Sequence, residues 1–416
     1  MFAMRIAKRD CRARSRPSFT LVELLVVISI IGILIGMVLY TLAGAQRDSL
    51  VAKTQGTLRK LNDIMLYRWE EFRYRSVKIN IPPQFLEPFQ VNNGFQTPLS
   101  GREGARIRMM ILRDTMRMEF PDRYTDILHP PSQYKAAMRT ADNVAPMNNT
   151  QNDVELFADR EVPGVYNNFR KRMVVNSSGA PYPLPSPYLG IASVAQDGVL
   201  RSGITLANQG AELLYQIVAT ASYNGTNGLE YFAPSEIGDT DEDGMPEFID
   251  AWGQPIRWLR WPVGYGMVNA TLSSPPLANQ REIDNSRPTD WQLNDTSVPD
   301  PLDPLRTDWR WLLPKFTQKP WMLVPLIISP GPDGIFDIQF DSTSVVAYAT
   351  DVWPGPTDSP AHLNSNYYFV DPYRGFYNNT SGAAMQGGLG QWFDEDGSPG
   401  TYGAADNITN YGLLLQ

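Results

Sequence analysis

The stretch from Phe19 to Leu42, FTLVELLVVISIIGILIGMVLYTL, constrains this chain more than any other feature, because its 24 residues carry a single charge, Glu23. As a helix it measures ~36 Å, enough to cross a ~30 Å hydrocarbon core. Residues 1–18 hold Arg5, Lys8, Arg9, Arg12, Arg14 and Arg16 against Asp10 alone, a net of +5. The remainder of the chain then carries −13 of the overall −8. A basic tail ahead of an apolar run stays on the cytoplasmic side of a membrane, and an acidic body is a poor partner for nucleic acid. Membrane topology therefore accounts for the basic cluster, and no nucleic-acid partner is expected.

A secretory signal peptide has a shorter apolar run followed by a small-residue cleavage site. Here apolar positions continue instead at Val51, Leu58, Leu61, Met65, Trp69 and Phe72, among Arg47, Lys53, Arg59, Lys60, Asp63 and Arg68. Spacings of three, four and seven describe one face of an amphipathic helix. The pattern predicts one long helix over 19–80, its first half in lipid and its second half packed on a head. Pro82 and Pro83 end it near Val77 to Ile81. A plain anchor does not need Glu23, since a carboxylate inside an apolar helix costs ~2–3 kcal/mol near the bilayer centre and signals a partner or a function.

The basic leader, the sequence Ser18-Phe19-Thr20-Leu21-Val22-Glu23 and the apolar run after it resemble the class III signal of type IV prepilins and type II secretion pseudopilins. The resemblance implies that a prepilin peptidase cuts between Ser18 and Phe19, methylates the new amino terminus, and leaves Glu23 as an assembly residue. Ser18 stands where the family usually has glycine. Asp250-Ala251-Trp252-Gly253-Gln254-Pro255 and Gly331-Pro332-Asp333-Gly334 resemble two head motifs of the major pseudopilins, with Ala251 in place of a proline.

These features divide the chain into a cytoplasmic leader over 1–18, a transmembrane and amphipathic helix over 19–80, a loop-rich insertion over 81–203 and a pseudopilin-like globular head over 204–416. The insertion holds a helical patch from Ala105 to Met118 among stretches rich in Asn and Pro, and is read as long loops that could form an interaction surface, with no chemistry assigned to it. In the head, Leu206, Leu213, Leu214, Ile217 and Val218 predict a helix over Thr205 to Ser222. Short strands are predicted at Ile256 to Trp261, Leu323 to Ser329, Ile335 to Phe340 and Tyr367 to Val370, with Pro332-Asp333-Gly334 turning the second into the third. Glycine and proline make about 16% of the chain against ~12% usually, in keeping with many turns. The expected fold class is α+β: a long amino-terminal helix packed on an antiparallel sheet, with large loop-rich insertions.

Two acidic loops invite a structural metal. Asp239, Asp241, Asp243, Met245 through its carbonyl, Glu247 and Asp250 occupy positions 1, 3, 5, 7, 9 and 12 of a calcium-loop layout, with Gly244 at position 6. Asp394, Asp396 and Asp406 lie where the resemblance implies the calcium loop of major pseudopilins. Catalysis is poorly supplied by comparison. Cys11 is the only cysteine and lies in the leader, so the head has no internal disulfide, thiolate zinc site or cysteine nucleophile. The only histidines, His129 and His362, read as loop residues.

The chain is therefore expected to be a structural subunit and not an enzyme: a single-pass inner-membrane protein with its amino terminus cytoplasmic and its head periplasmic or extracellular. It assembles through its helix with other pilin or pseudopilin subunits and with membrane lipid. A competing expectation is an anchored hydrolase or carbohydrate-binding protein, for which 10 Trp and 19 Tyr could line a groove.

Overall fold

The computed structural model describes residues 21–77, 89–91, 94–96, 101–128, 131, 134–137, 153–156, 162–184, 198–265, 299–312, 319–340, 372–373, 389–390 and 406–411. The chain divides into two units, Met1–Leu50 and Val51–Gln416. The described part of the first is continuous helix, α1, which spans Leu21–Tyr74 and so enters the second. No proline interrupts these 54 residues, and the helix ends three residues before the earliest predicted stop.

In the second unit α1 buries the stripe that its sequence period dictates. Leu58, Leu61, Ile64, Met65, Trp69 and Phe72 are all buried in the main core, while Lys53, Arg59 and Asp63 face solvent. Each fully buried Leu or Met contributes about 1.5–3 kcal/mol. Polar side chains on the same face find specific partners. Thr57 Oγ1 donates to Glu236 Oε1 at 2.5 Å, and Lys60 Nζ pairs with both Glu236 oxygens at 2.8 and 2.9 Å. The other duty of Glu236 is to accept from Ala233 N at 2.7 Å, capping the 3₁₀ turn Pro234–Glu236.

Burial alone pushes the Glu236 carboxyl up, but the hydrogen bonds from Lys60, Thr57 and Ala233, with the Lys60 charge, hold it below its ordinary value of 4.5. A depressed folded value means that the stabilisation is complete above the unfolded value and is lost as pH falls through the folded one. Glu236→Gln should therefore cost about 1–3 kcal/mol at neutral pH. The gap between variant and wild-type melting temperatures should close as pH drops below 4.5.

Residues 81–203 contribute more than loops. Strands β1 (Phe89–Val91) and β2 (Gly94–Gln96) form a hairpin, as do β3 (Tyr134–Ala137) and β4 (Asp153–Leu156). Between these pairs lie α2 (Gly101–Glu119) and α3 (Tyr124–Leu128), followed later by α4 (Gly164–Met173). Leu112, Met116, Phe120, Tyr124, Ile127, Phe169 and Met173 join the same core as α1, so this stretch helps to build the head. Amphipathic helices can bury their stripes only against another apolar surface, and the core of α1 supplies it. The helix α4 leads into the short pair β5 (Val174–Val175) and β6 (Val199–Leu200).

The predicted head helix forms as α5 (Gln209–Thr220), with Leu213, Leu214, Ile217 and Val218 wholly buried. It starts four residues late because Thr205 is captured by the acidic loop, its N–H donating to Asp243 Oδ2 at 2.7 Å. Beyond it come two small antiparallel pairs, β7 (Ser222–Tyr223) with β8 (Thr226–Asn227), and β9 (Ile237–Gly238) with β10 (Glu247–Phe248). The strand β11 (Arg257–Leu259) follows, and α5 packs on both β10 and β11.

The main sheet is antiparallel in the order β11, β12 (Leu326–Ser329), β13 (Ile408–Thr409). Trp258 and Ile327, directly paired, face the main core, whereas the paired Leu259 and Leu326 face a second cluster with Tyr265, Ile338 and Tyr411. Burial of both faces explains the unbroken apolar run Leu323 to Ile328.

One expected strand is corrected. Residues 335–340 form no strand, only a bridge at Ile338, and the hairpin after β12 does not exist. Both edges of β12 are already filled by β11 and β13, and Asp337 sits at φ 46°, which breaks extended backbone. In its place Gly331–Asp333 makes a 3₁₀ turn, with Gly331 at φ 75° where a Cβ would lie 2.5 Å from the Asp406 carbonyl oxygen. The predicted strand Tyr367 to Val370, Pro82, Pro83 and both histidines lie outside the described residues. With helices and small antiparallel sheets around a shared core, the fold is α+β.

Candidate cation site and candidate processing signal

The loop joining β9 to β10 folds back on itself because Glu242 and Gly244 both adopt left-handed backbone, at φ 57° and 90°. Asp239 secures the reversal, its two oxygens accepting from Asp243 N at 3.2 Å and Gly244 N at 3.0 Å. Asp243 Oδ1 accepts from Met245 N at 2.8 Å, and Glu247 Oε2 from Thr240 N at 2.9 Å. One oxygen each of Asp239, Asp241 and Asp243 lie within 4.8 Å of one another. These are three of the residues that the loop spacing singles out.

A second trio shares Asp241 and extends the cluster inward to Glu247 and Glu212, again within 4.8 Å. Glu212 comes from the first turn of α5 and is fully buried, its Oε2 accepting from the Tyr124 hydroxyl. Its other oxygen, with Asp241 Oδ1, is buried without a hydrogen-bond partner. Burial, and then the charges of Asp243, Asp241, Glu247 and Asp239, push the Glu212 carboxyl up to about 9. Sequence reading missed this residue. The available signal was an acid set in the apolar stripe between Ala211 and Leu213.

Asp250, given the twelfth position by spacing, belongs to neither trio. Its Oδ1 accepts from Trp252 N at 2.8 Å and Gln254 N at 2.9 Å, and its Oδ2 from Ser329 Oγ at 2.7 Å. It holds the Ala251-Trp252-Gly253 turn against β12, and Ala251 N in turn donates to Thr54 Oγ1 of α1 at 3.1 Å. Of the carboxyl-terminal candidates, Asp394 and Asp396 lie outside the described residues. Asp406 is half-buried beside the Gly331 turn, and burial followed by the charges of Asp333 and Asp337 pushes its carboxyl up.

At the amino-terminal end, Ser18 and Phe19 also lie outside the described residues, while Glu23 falls in the first turn of α1. There a negative charge suits the positive end of the helix dipole. From Leu21 to Leu42 the large apolar side chains are exposed, from 44% at Val27 to 83% at Tyr40. Such a surface is costly in water and ordinary in lipid or against other helices. Among the described residues α1 is the one helix long and apolar enough to cross a membrane. Residues 14–39 match the model of the prokaryotic N-terminal methylation motif.

The chain fits a type IV pilin-like protein. The methylation motif supports a prepilin-processed subunit of that kind, and it implies processing by a prepilin peptidase and assembly with other pilins. Its amino-terminal apolar helix is compatible with membrane anchoring. No curated protein and no solved structure matched the chain.

Proposed function

We propose that the chain is a structural subunit of a pilus-like filament of the type II secretion pseudopilus kind, anchored in the inner membrane with its head outside. The observation that carries this reading is the methylation motif over 14–39 running directly into an unbroken helix. The work is mechanical. Subunits pack through the apolar half of α1, and the head, locked to the other half by Leu58, Leu61, Met65, Trp69 and Phe72, is presented to a partner. The pseudopilin-like turn Asp250 to Pro255 supports the finer assignment, since it ties α1 to the sheet through Thr54 and Ser329. No residue is assigned a catalytic role. Trp258, Trp321, Tyr124, Tyr166, Tyr373 and Tyr411 are fully buried, so these aromatics serve packing and not a sugar-binding groove.

Mass spectrometry of protein taken from membranes should find a mature chain that begins at N-methylated Phe19. A mature chain that keeps Cys11 overturns the assignment. Ser18→Gly should raise the processed fraction in a pulse-chase experiment, because it restores the residue that prepilin-type signals usually carry.

A further inference from the structure

We infer that Glu212 supplies the closing ligand of a calcium site formed with Asp239, Asp241, Asp243 and Glu247, in the place that chain spacing gives to Asp250. Three observations meet here. The loop is already bent by left-handed Glu242 and Gly244 and held by backbone donors, so the carboxylates of Asp239, Asp241 and Asp243 converge before any ion arrives. The inner carboxylates of Glu212 and Glu247 converge on the same Asp241 from buried positions. Glu212 Oε1 and Asp241 Oδ1 are buried oxygens with no hydrogen-bond partner, each leaving a desolvation cost that a bound cation removes.

The neighbouring groups do not meet that need. Arg257, on β11, donates through Nη2 to Asn208 Oδ1 at 3.0 Å and to the Ala207 carbonyl at 2.7 Å, and its guanidinium lies over the Phe336 and Phe340 rings. Asn208 in turn donates to Glu247 Oε1 at 3.2 Å, and Thr205 holds one oxygen each of Asp241 and Asp243. Asp250 is already engaged by its own turn and by Ser329 of β12.

The donor set identifies the ion. Both trios offer carboxylate oxygen alone, which excludes a soft-metal site. Magnesium keeps most of its waters and takes one or two carboxylates, whereas calcium accepts six to eight oxygens in irregular geometry. Two carboxylate trios that share Asp241 suit calcium. The consequence is structural: the ion ties the β9–β10 loop to the first turn of α5, which packs on β10 and β11.

The test titrates chelator-treated full-length protein in detergent micelles with calcium chloride, by calorimetry. Wild type should bind, and Glu212→Gln, which keeps the side-chain shape, should weaken binding by about tenfold or more. Asp241→Asn should do the same. Asp250→Asn should lower the melting temperature equally with and without calcium, and leave affinity within about threefold, since it disturbs only the turn and its tie to Ser329 of β12. No binding by wild type overturns the site. So does unchanged binding in both Glu212→Gln and Asp241→Asn, which places the ion elsewhere, or a loss in Asp250→Asn that matches Glu212→Gln. The inference does not depend on the filament assignment, because the titration reads the head and the amino-terminal mass reads the processing signal.

Discussion

Glu23→Ala should leave the protein in the membrane fraction and cut the yield of sheared filaments at least about tenfold, a change that needs only ~1.4 kcal/mol per assembly step. Insertion cannot suffer on energetic grounds, since the substitution removes the one charge of the run from Phe19 to Leu42 and makes it more apolar. Assembly is a different matter. In a bundle of such helices the carboxylate can meet the methylated amine of a neighbouring Phe19, and a charge-assisted contact is stronger in a low-dielectric surround than in water. Glu23→Gln keeps the size and loses the charge, so it should resemble Glu23→Ala. Immunoblots of sheared and membrane fractions decide the matter, and an unchanged filament yield in both variants removes Glu23 from assembly.

Arg113→Met should cost about 3–5 kcal/mol of stability. Arg113 is buried in α2 and pairs with Asp300 at 2.8 Å and Asp308 at 2.9 Å, both themselves buried. Burial opposes its charge, but Asp300 and Asp308 overcome that cost and hold the guanidinium more strongly protonated than usual. Removing the cation strands two carboxylates away from water. Arg310 still reaches Asp308 at 3.2 Å, so Asp300 bears most of the damage. The melting temperature should fall on the order of 5–10 °C, and adding Asp300→Asn should recover part of it by removing the stranded charge. A single variant within about 0.5 kcal/mol of wild type means that the pairing is not a net contributor.

The contrast between what the chain disclosed and what it concealed follows from range. The stripe from Leu58 to Phe72, the stripe of α5 and the apolar run of β12 were legible because each is a local period that a single surface reads out. Asp250 misled for the converse reason. Its spacing from Asp239 satisfies a loop template, yet its partners Trp252, Gln254 and Ser329 are fixed by a turn and by a strand 79 residues away. Arg113, Asp114 and Arg117 look in sequence like a solvated helix face, and only Asp300 and Asp308, nearly 200 positions later, reveal that the face is buried. Residues 335–340 alternate like a strand, but whether the edge of β12 was vacant depended on residues 408–409.

The same long range bears on how the molecule is made. Asn410 donates through Nδ2 to Asn62 Oδ1 at 3.0 Å across 348 positions, and its Oδ1 accepts from Ile327 N at 2.9 Å. Closing so large a loop is entropically slow, and it cannot begin until residue 410 has been synthesised. Through most of translation α1 is therefore available to lipid while the face meant for the sheet stays uncovered. For a membrane-anchored chain, insertion would then precede completion of the head, and a translocation partner or chaperone would have its longest opportunity to act in that interval.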